Sequence, residues 1–188
     1  DCVQFTIRDV TDYDPDECLA LMERYSLTVS AMATGRVYTV DGRSMGSGDE
    51  ENRRECVERL CALADLSLRL GKPAIVIGAV RGLLKDAHTP EEYYRQFDRS
   101  MHELVDYCES LGVTVILEAD DHLEADTYLD PAETLEYVRS FHSHALRMYI
   151  DTMHLFNEGL DVPEAIRTYG KEVFSIDIGG EGRTAPML

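Results

Sequence analysis

Val113-Thr-Val-Ile-Leu-Glu118, the helix start Asp130-Pro131-Ala-Glu133 and Leu146-Arg-Met-Tyr-Ile-Asp151 together decide the fold. Two short apolar runs, each closed by a carboxylate, flank a helical stretch. Neither run alternates strictly between apolar and polar residues, which is the pattern of strands buried on both faces. Such strands need helical crossovers between them and therefore lie parallel.

The same unit recurs outward in both directions. Strands are expected at Cys2-Ile7, Leu27-Ala33, Ala74-Val80, Val113-Glu118, Leu146-Asp151 and Val173-Ile178. One helical face is formed by Val57, Leu60, Cys61, Ala64 and Leu68 within Glu51-Leu70. A second is formed by Tyr94, Phe97, Met101, Leu104, Val105 and Cys108 within Glu91-Leu111. Asp14-Pro15-x-Glu17, Thr89-Pro90-x-Glu92 and Asp130-Pro131-x-Glu133 are helix starts: an acceptor caps, Pro fills the first turn and Glu follows. Gly71, Gly112 and Gly170 stand where left-handed helix ends are expected. The polar run Thr39-Asn52 reads as one long loop. Six strands and five helices predict a parallel (β/α)8 barrel, incomplete in this chain. Residues 1–188 then make a single domain, with about one unit expected to be missing at each end.

Composition narrows the function. The chain has 36 acidic against 18 basic residues, a net charge of -18. That field repels phosphate backbones and anionic lipid, so neither nucleic acid nor membrane is expected as a partner. No apolar run approaches the roughly 20 residues of a membrane span, and no signal peptide is visible. The five cysteines are odd in number and show no CxxC spacing. Reduced thiols in a reducing compartment, the cytoplasm, are the expectation.

Catalytic groups of a parallel barrel come from the C-terminal ends of its strands. Glu118, Asp151 and Asp177 each close an apolar strand there. Carboxylates are costly in that position unless they meet water or a cation. Few cationic side chains lie nearby in sequence, so a hard divalent metal, Mg²⁺ or Mn²⁺, is expected among them. Asp120 and Asp121 read as solvated, and His122 as a loop residue near the site. His88, His142 and His144 read as surface residues.

From Gly112 to Pro186 the chain resembles the ketose 3-epimerase group of the xylose-isomerase-like (AP-endonuclease-2-type) TIM barrels. The resemblance rests on Glu118 with Glu124 six residues on, and on Asp151-Thr152-Met153-His154 running into Asn157-Glu158 and Pro163-Glu164-Ala165-Ile166. It also rests on a strand end followed six residues later by Arg183, then by Pro186. It implies Glu118 as metal ligand and base, Asp151 as metal ligand, and Glu124, His154 and Arg183 as substrate contacts. Asp177 stands where that family carries a metal-binding His, and Ser175 where a second His often stands. The fourth ligand, a Glu, is expected beyond Leu188. The implied activity is metal-dependent sugar isomerisation or epimerisation by proton transfer through an enediolate. Mn²⁺ or Mg²⁺ is the implied ion, with Co²⁺ or Zn²⁺ as alternatives. The implied partner is a small sugar or polyol, and a homo-oligomer is compatible with the pattern. Asp177 keeps two rivals open. One is a lyase, dehydratase or glycoside-cleaving enzyme on the same barrel; the other is a metal-free, non-catalytic barrel subunit.

Overall fold

The computed structural model describes residues 1–180 and 184. Its strands are β1 (Cys2–Thr6), β2 (Thr28–Ala33), β3 (Ala74–Ile77), β4 (Val115–Ala119), β5 (Leu146–Asp151) and β6 (Val173–Asp177). They form one sheet in the order β1-β2-β3-β4-β5-β6, and every neighbouring pair is parallel. The expected incomplete barrel is therefore present, with β1 and β6 as the edges of the described sheet.

Helices α1 (Pro15–Tyr25), α2 (Gly35–Thr39), α3 (Glu50–Arg69), α4 (Pro90–Leu111), α5 (Pro131–Ser140), α6 (Thr152–Asn157) and α7 (Val162–Tyr169) make the crossovers. The five long ones are those anticipated from periodicity and capping. Among the described residues α2 and α6 are additional, and both are single short turns beginning where a strand ends. The Thr39-Asn52 run is correspondingly not one loop, because Thr39 ends α2 and Glu50–Asn52 open α3. Strand β3 stops at Ile77, three residues short of expectation. The chain there turns into a 3-10 segment, Ala79–Arg81, whose Arg81 side chain donates back to the carbonyls of Ile77 and Gly78.

The capping signals hold at the start of the long helices. Asp14 accepts from the Asp16 N–H at 2.9 Å, Thr89 from Glu92 at 3.1 Å and Asp130 from Ala132 at 2.6 Å. Each satisfies a donor that the first helical turn leaves orphaned. Gly71 and Gly112 adopt the expected positive φ, +91° and +65°. Gly170 does not: its φ is -57°, and its N–H simply continues the helical ladder to Ile166.

Strand periodicity splits the core in two. Residues such as Ile75, Ile77, Val115, Leu117, Met148 and Ile150 point outward under the helices, in a large cluster that includes Leu60, Phe97, Met101 and Leu104. The inward face is smaller: Ala31, Ala74, Val76, Ile116 and Tyr149. Two residues beyond Ile116 on that face lies Glu118, and two beyond Tyr149 lies Asp151. The inner apolar cluster thus forms the floor, and the carboxylates stand above it at the C-terminal mouth. All five cysteines are free, as expected.

The Asp130 cap is exposed and packs little of the core, so its loss isolates capping. Asp130→Ala is expected to lower stability by about 1 kcal/mol, read from urea unfolding of the full chain, with the native far-UV spectrum retained.

Candidate active site

The mouth encloses a cavity of about 290 Å³. One wall carries Glu118, Asp120, Glu124, Asp151, His154 and Asp177, and the opposite wall Gln4, Thr6, Thr34 and Arg36. Of the sequence-derived candidates, Glu118, Glu124, Asp151, His154 and Asp177 are all brought to this one cavity. Arg183 and Pro186 lie outside the described residues. Asp151 and Asp177 are directly paired in the β5–β6 register. Asp151 is 8% exposed and also caps α6, accepting from the Met153 N–H at 2.8 Å. That cap carries His154 into the cavity one residue later.

Asp120 and Asp121 are not solvated, contrary to the sequence reading. They are 2% and 0% exposed. Asp120 continues the inward parity of Ile116 and Glu118, and that period-two signal was available in the sequence. The donor atoms of Glu118, Asp120 and His154 lie within 4.8 Å of one another. His154 Nε2 stands 3.5 Å from both Glu118 Oε1 and Asp120 Oδ1. Its Nδ1 is 2.6 Å from Asp121 Oδ2, which also accepts from Asn157 Nδ2 at 2.6 Å. His122, beside this group, is tied to Glu158 at 2.6 Å on the outside of the loop.

The electrostatics follow from burial and proximity. Burial pushes the Glu118 carboxyl above its usual range, and the neighbouring Asp120 adds to the rise. Burial alone would lower the His154 pKa, but hydrogen bonds and charge from Glu118, Asp121 and Asp120 outweigh it and raise the value to about 9. Burial of Asp121 is likewise outweighed, by bonds from His154, Asn157 and the Leu123 N–H, so its carboxyl lies below the usual range. Tyr149 sits on the floor against Asp177, and burial together with the Glu118 charge keeps its phenol neutral.

Sequence reasoning missed Arg81. Its guanidinium is fully buried and donates to the carbonyls of Gly78 (3.0 Å), Thr127 (3.0 Å), Ile77 (3.1 Å) and Glu118 (2.6 Å). It also stands 3.7 Å from Asp120 Oδ2. A single basic residue in an apolar stretch gives no sequence signal of this. Gly78 was also missed: a Cβ there would meet Glu118 Oε2 at 2.5 Å, so the Glu118 carboxylate occupies space that only glycine leaves open.

A curled parallel sheet with an acidic, histidine-bearing mouth defines a parallel-barrel scaffold with a polar cavity at the C-terminal ends of its strands. Residues 1–184 match the xylose isomerase-like TIM barrel family, and the chain belongs to it. An L-ribulose 3-epimerase from Mesorhizobium japonicum is 25% identical over 185 residues, covering 97% of this chain and 61% of that protein. A solved L-ribulose 3-epimerase superposes with a TM-score of 0.81 at 22% identity, over 95% of this chain and 59% of its own. D-psicose 3-epimerase from Clostridium cellulolyticum H10, solved with D-tagatose, gives 0.81 at 18% identity, over 95% and 63%. The chain therefore spans about three fifths of the length of these relatives.

Arg81 gives a direct test of how this mouth is held. Arg81→Met removes the guanidinium and leaves four buried carbonyls and Asp120 without it. A loss of about 3–5 kcal/mol in unfolding free energy is expected. Arg81→Lys should recover only part of it, since one ammonium cannot reproduce the planar fork. Unfolding of the full-length variants in denaturant measures both.

Proposed function

We propose that this chain works in sugar isomerisation or epimerisation, moving a proton beside a carbonyl through an enediolate. The observation that carries the reading is Glu118: a largely desolvated carboxylate of raised pKa, facing a polar cavity beside Asp120 and His154. A carboxylate whose pKa is raised toward working pH is a better proton acceptor than a solvated one. The likeness to ketose 3-epimerases supports the same chemistry. A small polyol fits the cavity, whose lining offers acceptors to hydroxyl groups on one wall and amide, hydroxyl and guanidinium donors on the other.

The donor set suits a hard divalent cation. Side-chain oxygen and nitrogen atoms of Glu118, Asp120 and His154 converge within 4.8 Å, and two further carboxylates, Asp151 and Asp177, line the same cavity. The ion is assigned to Glu118, Asp151 and Asp177, as the resemblance implies, with Mn²⁺ or Mg²⁺ favoured by their oxygen chemistry; of these, Glu118 alone belongs to the convergent cluster among the described residues. When bound, such an ion neutralises negative charge developing on the substrate oxygens. Glu118 takes the proton from the carbon next to the carbonyl. His154 and Glu124 orient hydroxyl groups, and Arg183 is assigned the same task from its place after β6. A lyase or dehydratase begins with the same proton abstraction, and product analysis separates the two.

Glu118→Gln is expected to abolish turnover of a panel of free ketoses by the full chain, while leaving the unfolding midpoint nearly unchanged. Activity within tenfold of wild type, about 1.4 kcal/mol in barrier, would remove Glu118 from the mechanism.

Asp177→His replaces a hard oxygen donor by imidazole at the position where the chain departs from the ketose 3-epimerases. Competition titrations with Mn²⁺ and Zn²⁺ are expected to show preference shifting toward Zn²⁺. Identical preferences in wild type and variant would exclude Asp177 as a ligand.

A further inference from the structure

Asp121 is the fully buried carboxylate that the mechanism above leaves without a task. Its two oxygens divide their work between two segments. Oδ1 accepts from the backbone N–H groups of Leu123 (2.9 Å) and Glu124 (3.2 Å), closing the turn after β4. The Asp121 carbonyl accepts from Ala125 at 2.9 Å in the same turn. Oδ2 receives Asn157 Nδ2 and faces His154 Nδ1, both at 2.6 Å. An ionised carboxylate accepts only, so the hydrogen in the His154 contact belongs to Nδ1. The other ring nitrogen, Nε2, is then the one presented to Glu118 and Asp120.

We propose that Asp121 is a positioning residue: it fixes His154 with Nδ1–H turned away from the cavity and Nε2 into it, and through its turn joins His154 and Glu124 into one unit. A carboxylate behind an imidazole sets the orientation of its ring. Here the same carboxylate also sets the backbone that carries Glu124. The two assigned substrate contacts, 30 residues apart in sequence, therefore share one anchor. The effect on turnover rests on the epimerase or isomerase reading, whereas the ring orientation does not.

Asp121→Asn tests this with little change of shape. The amide oxygen is held by the two backbone N–H groups, so the NH₂ replaces Oδ2 and confronts Nδ1 with a donor. Nitrogen-detected NMR of the full-length, ¹⁵N-histidine-labelled chain reads the outcome, with His154 assigned by its loss in His154→Gln. Wild type is expected to show an exchange-protected Nδ1–H, with and without Mg²⁺. Its absence from wild type would overturn the proposal without recourse to any variant. Asp121→Asn should lose that signal, and Asn157→Ala, which removes the other donor to Oδ2, should keep it. Persistence of Nδ1–H in Asp121→Asn, or its equal loss in Asn157→Ala, would show that general packing orients the ring. On a ketose turned over by wild type, Asp121→Asn is expected to lower kcat at least tenfold with KM changed less. An unchanged kcat would overturn the functional part of the proposal. If wild type turns over no ketose, the epimerase reading fails while the NMR result still decides the orientation.

Discussion

Three carboxylates within four residues, Glu118, Asp120 and Asp121, are withdrawn from water at the end of one strand. Taking such charges out of solvent costs several kcal/mol each unless partners replace the lost hydration. The local structure is arranged around supplying those partners. Arg81 approaches from the end of β3, His154 and Asn157 from α6, and the backbone of the turn after β4 closes on Asp121. The ends of β3, β4 and β5 are thereby held against one another by charge as well as by the sheet ladder.

The same arrangement ties the mouth together while leaving the Glu118 carboxylate largely uncompensated. Arg81 uses its donors mainly on main-chain carbonyls and stands 3.7 Å from Asp120, so it shapes the site without neutralising Glu118. Glu118 remains a desolvated carboxylate of raised proton affinity, kept in place by the open space at Gly78. The imbalance of charge on the acidic wall is what makes a divalent cation a natural complement there. The opposite wall instead carries neutral and guanidinium groups.

The acidity of the whole chain and that of the site have different origins. Many of the 36 acidic residues lie on helix faces and caps, where Glu50 and Glu103 pair with the buried Arg53 and the exposed Arg99, while Glu172 pairs with Arg139 from the turn before β6. They keep the surface solvated and unsuited to polyanions. Among the described residues no helix is long and apolar enough to cross a membrane.

The order of elements was legible in the sequence because it depends on local rules. Caps at Asp14, Thr89 and Asp130, helical periodicity, and short apolar runs closed by a carboxylate each act over a few residues. The positions of Glu118, Asp151 and Asp177 at strand ends followed from the same rules, and so did their meeting at one mouth once the strands were taken as parallel. Gly170, the short helices α2 and α6, and the early end of β3 escaped, since neighbouring side chains and hydrogen bonds decide them. Most of all, tertiary structure decided the state of Asp120 and Asp121. A pair of aspartates after a strand is solvated unless other segments cover it. Here Arg81, 39 residues before Asp120, and His154, 33 residues after Asp121, cover it. Burial and the partners that compensate it are properties of contacts between segments, and no local pattern in the chain encodes them.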